Sequence, residues 1–307
     1  MNVPRIRTQI TLDAISWVVQ QIGGASGSPN VAFGMYLWTV FFKVDGDTVR
    51  INESFNAQGT ATVVGTPGDH GDLAGTGDSN LVSIPAANGY FRTVLTPIPV
   101  QNFATTVPGA LGCVVILMAQ NDTPSDAVAQ GHQALNSSLQ QALDALIPTL
   151  GIKNPTVTQD DINAIQQQVS AAVSGAIKDT LTIWDKILTV LDLTVQDSVI
   201  GTLIYLFSPT DLTESLPTGI LLQNGYQNGQ ATQTEIQFAV AGAGPFLGPT
   251  PFVTLTFQGR VVADPYPLSL TRILARLGLT SVRQAMASTP VPFQPPGSVE
   301  NWIDAIS

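Results

Sequence analysis

The chain has 307 residues, 11% of them charged and 44% hydrophobic, with a net charge of −10. An ordinary globular chain is about 25% charged; disorder needs low hydrophobicity and high net charge, so most of this chain is expected to fold. Twelve Lys plus Arg against 22 acids exclude a nucleic-acid-binding surface, which needs clustered cations to displace phosphate counterions.

Residues 9–22 partly alternate apolar and polar, which predicts a first strand with Ile10, Leu12 and Ala14 on one face. Residues 31–44 carry the strongest strand signal. Tyr36, Trp38, Val40, Phe42 and Val44 alternate with Leu37, Thr39, Phe41 and Lys43, so both faces are apolar and the strand belongs between two layers. Asp45-Gly46 predicts a hairpin turn, with Val49–Phe55 as the return strand. A loop without hydrophobic period fills 65–80, and strands follow at 81–84, 90–95 and 112–119.

The period then becomes helical. Val128, Leu135, Leu139, Leu143 and Leu146 predict a helix from Ser125 to Leu146, with Ser125 as N-cap and Asp126 in the first turn. Pro148 and Gly151 end it. Thr158 opens a second helix, whose stripe from Ile162 through Trp184 to Leu191 predicts a length of roughly 50 Å. Gln166, Gln167, Gln168, Lys178, Asp179, Asp185 and Lys186 occupy its other face, so the pair packs on protein rather than entering a membrane. Strands return at 199–207, 219–223, 234–240 and 252–263. Short helices are expected at 269–277 and 281–287, followed by a Pro-rich stretch.

The economical architecture is mixed: an antiparallel β-sandwich carrying a long helical hairpin in one loop. Its body spans 1–123 and 195–263, the inserted hairpin 124–194, and a helical, Pro-rich tail 264–307. No apolar run is long enough to cross a bilayer as a helix, and no signal-peptide pattern follows Arg5 and Arg7. A cytoplasmic location, or export without a classical signal, is the expectation.

Groups that carry chemistry are scarce. The single cysteine, Cys113, stands in an apolar strand and predicts an inert core thiol. Two histidines are present. His132 lies on a helix among polar neighbours and reads as a surface residue, and His70 lies in the loop Gly68-Asp69-His70-Gly71-Asp72. No Gly-x-Ser-x-Gly elbow and no phosphate loop occur. The acids are lopsided, with 18 Asp against 4 Glu, which places negative charge in turns and loops rather than on helix faces. Candidate metal ligands are Asp45 and Asp47 after one strand, Asp122 and Asp126 after another, and Asp197 before a third; Asp69, Asp72 and Asp78 form a second acidic loop. Oxygen ligands of this kind suit Ca²⁺.

Three stretches together resemble C2 domains: Met35-Tyr36-Leu37-Trp38-Thr39-Val40, then Val114 to Asp122, then Asp197-Ser198-Val199-Ile200-Gly201 through Leu212. The resemblance implies a C2-like sandwich and places Asp122 and Asp197 at calcium positions. Gly34 and Met35 stand where C2 domains have an Asp and a Pro, and Gln120 replaces the first Asp of the Asp-x-Asp pair. The helical hairpin falls inside a calcium-binding loop of that scheme.

The first functional expectation is a non-catalytic binding module whose acidic loops, with Ca²⁺, engage a protein partner or a lipid surface. The alternative is a structural, self-associating protein. Residues 260–307 carry 4 cations against 3 acids, a balance of +1, on a chain whose remainder carries −11. Arg272, Arg276 and Arg283 are then candidate contacts to the acidic body of a neighbouring copy. A hydrolase using carboxylates alone ranks third.

Overall fold

The computed structural model describes residues 5–20, 33–67, 73–75, 81–120, 123–153, 158–191, 197–214, 219–222, 224–227, 230–233, 236–239 and 252–266. The chain divides into two units, Met1–Pro265 and Tyr266–Ser307; the predicted tail helices lie outside the described residues.

The larger sheet grows from the two most apolar segments. β2 (Phe33–Val44, after β1, Arg5–Gln20) pairs antiparallel with β5 (Ala110–Gln120) in unbroken register from Gly34↔Gln120 to Val44↔Ala110. On the far side of β2 sit β3 (Thr62–Val64), opposite Phe41 to Lys43, and the short strand Leu73–Gly75, opposite Phe33 to Met35. On the far side of β5 runs β6 (Ser198–Phe207), whose register shifts between Leu117 and Met118. β7 (Asn224–Gln227) joins β6 in parallel, and β8 (Gln230–Gln233) closes the row. A second sheet holds β1, β4 (Tyr90–Leu95), β9 (Phe252–Tyr266) and three shorter strands.

Side chains alternate faces along a strand, so β2 and β5 serve two cores at once. Met35, Leu37 and Phe41 join Leu111, Cys113 and Val115 in a buried cluster with Ile6, Ile10, Leu12 and Phe257 of the second sheet. Tyr36, Trp38, Val40 and Phe42 join Val114, Ile116 and Met118 in another, covered by Leu135, Leu139, Leu143, Val169, Val173 and Trp184 from two helices. Each such side chain contributes about 1.5–3 kcal/mol on burial. The fold is mixed: mostly strands, in antiparallel and mixed sheets, with one long helix. No helix among the described residues is long and apolar enough to cross a membrane.

The covering helices are α1 (Ser125–Leu146) and α2 (Gln159–Leu191). At the head of α1 the expected cap shifts by one residue. Pro124 holds the N-cap position with φ −59° and ψ 141°, and Ser125 is already helical. The Pro124 carbonyl accepts from the N–H groups of Ala127 and Val128, so the backbone does the work assigned to Ser125. α2 opens as its sequence implies. The Thr158 N–H bonds Asp161 Oδ2 at 3.0 Å and the Asp161 N–H bonds Thr158 Oγ1 at 3.2 Å, a reciprocal cap. Hydrogen bonds from Thr158 hold the exposed Asp161 carboxyl below its ordinary range.

The Asp45-Gly46 hairpin does not form. Only Val49–Ile51 is a strand, and it pairs with Ala57–Gly59 instead of returning along β2. The cause is a distant partner. The Gly46 N–H bonds Thr96 O at 2.8 Å, and the Thr96 N–H bonds Asp45 Oδ2 at 3.0 Å. A Cβ on Gly46 would strike Pro97 O, so glycine stands here for close approach rather than for a hairpin.

Candidate functional site

The predicted acidic ligands divide between the two ends of β2. Asp45 and Asp47 follow its last residue, whereas Asp197 meets Tyr36 near its start. Nine residues of strand separate the two places, about 30 Å. Because β2 and β5 are antiparallel, the end of one strand lies beside the start of the other, and acids that each follow a strand are driven apart.

At the Asp45 end a lysine holds the centre. Lys43 Nζ donates to Asp45 Oδ2 at 2.9 Å, to Asp47 Oδ2, and to Val94 O at 3.1 Å. Asp45 is fully buried and Lys43 nearly so. Asp45 Oδ1 also accepts from the Asp47 N–H. Burial alone would lower the Lys43 pKa, but the hydrogen bonds and charges of Asp47 and Asp45 outweigh it and the net shift is upward. Burial alone would raise Asp47; its bonds to Lys43 and Thr96 and the nearby cations reverse that, and its carboxyl lies below the ordinary range.

At the other end Tyr36 Oη donates to Asp197 Oδ2 at 2.7 Å, and the Asp197 N–H donates to Thr123 Oγ1 at 3.1 Å. Asp197 is buried, so this bond fastens the start of β6 to β2 and to the head of α1. Asp126 is exposed in the first turn of α1, where the helix dipole favours it. Asp122, Asp69, Asp72, Asp78, His70, Arg272, Arg276 and Arg283 lie outside the described residues. Among the described residues no three His, Cys, Asp or Glu side chains gather where a metal could be held. Bound Ca²⁺ takes 6–8 oxygens. Among the described acids, Asp45 and Asp47 already enclose an ammonium, and Asp197 already accepts a hydrogen bond from the Tyr36 hydroxyl.

His132 is not on the surface. It is buried, stacked on Trp38 with ring centroids 6.2 Å apart and planes 17° apart. Its Nε2 lies 3.1 Å from Thr39 O. A carbonyl can only accept, so Nε2 carries the proton in this bond. Trp38 meets Trp184 edge-on at 5.0 Å, and a Cβ on Gly131 would strike both rings. The absent side chain at Gly131 is what lets α1 come this close to β2. Cys113 is buried, and burial pushes its thiol well above the ordinary 9.0.

His132 is the first rung of a ladder. Asn136 Nδ2 donates to Gly65 O at 2.9 Å. Gln140 Nε2 donates to Ala61 O at 3.0 Å and to Asp144 Oδ2 at 2.9 Å, and the Ala61 N–H donates to Asp144 Oδ1 at 2.8 Å. Residues 132, 136, 140 and 144 recur every fourth position and form one line along α1. Backbone groups on a strand alternate between its two edges. Ala61 and Gly65 turn theirs away from β2 towards α1, and Val63 between them shares that direction. Thr39 lies in the interval of β2 left open between β3 and Leu73–Gly75. α1 thus supplies by side chain the partners that a further strand would supply by backbone, which shields an edge that invites pairing.

Beside this ladder runs a groove of about 460 Å³, lined by Val63 and Gly65 and by Gln133, Asn136, Ser137, Gln140 and Gln141 of α1. No lining side chain is charged. Asn136 Oδ1 is buried there without a hydrogen-bond partner. The four-residue spacing is present in the sequence, one position from the more conspicuous apolar stripe of Leu135, Leu139 and Leu143.

No protein-family profile matches the chain, and a search of curated proteins returns no match. Among solved structures, the InvG secretin domain β-barrel from the Salmonella SPI-1 injectisome NC-base aligns at 9% identity over 98% of this chain and 74% of that one. Its TM-score is 0.14.

Proposed function

We propose that this chain is a non-catalytic binding module, framed as a C2-like β-sandwich with the α1–α2 hairpin as a third layer. It takes an uncharged, extended segment of a protein partner in the groove between β3 and α1. The observation that carries this is the neutral lining of that groove. Gln133, Ser137 and Gln141 stand one turn apart beside the backbone of Val63. Amide and hydroxyl groups both donate and accept, and Val63 adds a backbone N–H and C=O facing the same side. α1 fills the edge at Ala61 and Gly65, so a peptide meets the main chain at Val63 between these rungs and draws its remaining contacts from the side chains alongside.

Two further facts support the frame. One buried cluster is shared by both sheets, as a sandwich requires. The described groups with the most chemistry are spent on that frame: His132 on Thr39, Lys43 on its two acids, Asp197 on Tyr36, and Cys113 in the core. Binding here needs no calcium bridge, which a negatively charged chain would need in order to meet anionic lipid.

The test is an array of extended peptides rich in Asn, Gln, Ser and Thr, probed with the full chain and with a Gln133→Ala/Gln141→Ala variant. Peptides retained by the parent and lost by the variant support the proposal. Peptides retained equally by both, or none retained by the parent, sink it.

A further inference from the structure

The outer face of the second sheet gathers cations on an acidic chain. Ile6, Thr8, Ile10 and Leu12 of β1 are buried, and all but Thr8 belong to the cluster between the sheets. Side chains alternate along a strand, so Arg5, Arg7, Gln9 and Thr11 stand on the opposite face. β4 flanks β1 on one edge, with Val94 opposite Arg7, Arg92 opposite Gln9 and Tyr90 opposite Thr11. Directly opposed residues share a face, so Arg92 joins the first two arginines. β9 flanks the other edge. Its Phe257 and Val261 lie in the shared core, which turns the exposed Arg260 outward. A Cβ on Gly259 would strike Thr11 O, which sets Arg260 alongside that stretch of β1. Three neighbouring strands span about 10 Å, and Arg5 to Thr11 spans about 20 Å. A patch of that size holds Arg5, Arg7, Arg92 and Arg260, on a chain with 12 cations against 22 acids. Among the described side chains on this face, the one acid is Asp13, beyond Thr11. Asp47 lies near enough to Arg5 to feel its charge, but it already holds Lys43. Tyr90, and Leu221 opposite Arg260, are exposed at the two sides of the patch.

We infer that this face docks an acidic, extended segment of a protein partner, with a carboxylate at every second position. Charge complementarity fixes the occupant. All four cations are arginines, whose planar fork matches a carboxylate through two parallel hydrogen bonds. An extended segment repeats its side chains on one face about every 6.6 Å, which is the interval between Arg5 and Arg7. Laid along β1, such a segment brings successive carboxylates to Arg5, to Arg7, and to the level of Arg92 and Arg260. Tyr90 and Leu221 supply apolar contact at its sides. A segment meets this face alone, whereas an anionic bilayer also meets the field of a chain whose net charge is −10. The face shares no residue with the groove between β3 and α1, so the inference stands apart from the proposed function.

Fluorescence anisotropy at low salt tests it, using the full chain and a labelled peptide of about ten residues alternating Glu and Ser, roughly 30 Å when extended. The parent is expected to bind this peptide, to ignore its Gln-Ser counterpart, and to lose affinity as salt rises. Arg7→Gln/Arg92→Gln is expected to weaken binding about tenfold, as two exposed ion pairs near the upper end of their usual strength would. Arg92→Gln/Arg260→Gln is expected to do the same with unchanged circular dichroism, which guards against a folding defect in the first variant. Arg50→Gln, which removes an exposed arginine outside this face, is expected to bind like the parent. So is Gln133→Ala/Gln141→Ala, which separates the face from the groove. A parent that does not bind overturns the inference, and so does equal binding in both double variants. A comparable loss in Arg50→Gln also overturns it, because net charge alone would then be responsible. Vesicles of phosphatidylcholine and phosphatidylserine that retain the parent when the peptide does not would assign the face to a membrane instead. Self-association lost in both double variants, without peptide binding, would assign it to a second copy; either result overturns the inference.

Discussion

The imidazole of His132 and the backbone oxygen of Thr39, 93 positions apart in sequence, lie 3.1 Å from one another inside the layer between the larger sheet and α1. That bond opens the line of side chains by which a helix finishes a sheet edge. Replacing His132 with Leu keeps the bulk against Trp38 and leaves Thr39 O without this donor. A buried polar group that loses its partner costs about 1–3 kcal/mol. Urea unfolding is expected to show a loss of that size for His132→Leu. Gln133→Ala, one position along on the exposed side, is expected to change stability by less than about 0.5 kcal/mol. Equal effects would mean the bond contributes nothing.

Lys43 is the second place where the fold depends on one group. Lys43→Met leaves Asp45 buried with part of its pairing gone, a defect that costs about 3–5 kcal/mol when a buried pair loses one member. Lys43→Met/Asp45→Asn is expected to recover part of that loss, since the amide removes the charge and still accepts from the Thr96 N–H. A double variant no better than the single one would show that Asp45 is not the source of the cost.

The same cluster sets a pH window. Asp47 has a folded pKa below its ordinary 3.8, so its contribution is complete above that value and disappears as pH falls through the lower folded one. Lys43 has a folded pKa above its ordinary 10.5, so its contribution is complete below 10.5 and disappears as pH rises through the higher folded one. Stability from this cluster is expected to be flat between these limits and to fall outside them. In Lys43→Met the alkaline fall is expected to shrink, as chemical denaturation across pH will show; an unchanged alkaline limb would assign it to other groups.

The helical hairpin is expected to be indispensable. Its removal from 126 to 191 uncovers Trp38, Val40, Phe42, Val114 and Ile116, all buried beneath it or beside it. Exposed apolar patches of that kind drive aggregation. A deletion variant joined by a short linker should come out of cells insoluble. A soluble variant melting at the parent temperature would mean the sheet does not need its third layer.

Legibility followed the distance between partners. β2 and β5 were readable because each carries its own apolar run, and α1 because its apolar residues recur within 22 positions. Thr158 and Asp161 were readable because the cap closes within three residues. Asp45-Gly46 misled because its partner, Thr96, lies half a hundred residues on. His132 misled for the same reason: its polar neighbours along α1 suggest solvent, while Trp38 and Thr39, which bury it, are contributed by another strand. Where the described acids lie depends on topology, which sequence order hides. Each follows or precedes an apolar strand, but antiparallel pairing sends Asp45 and Asp197 to opposite ends of β2.

The groove between β3 and α1 carries the proposed function, and hydrogen–deuterium exchange with a peptide retained on the array tests it most directly. Protection is expected at 61–65 and 133–141, with the Asp45 and Asp197 ends of β2 unchanged, and it should vanish in Gln133→Ala/Gln141→Ala. Protection at either end of β2 with the groove unaffected would contradict the proposal and place binding at the acidic loops instead.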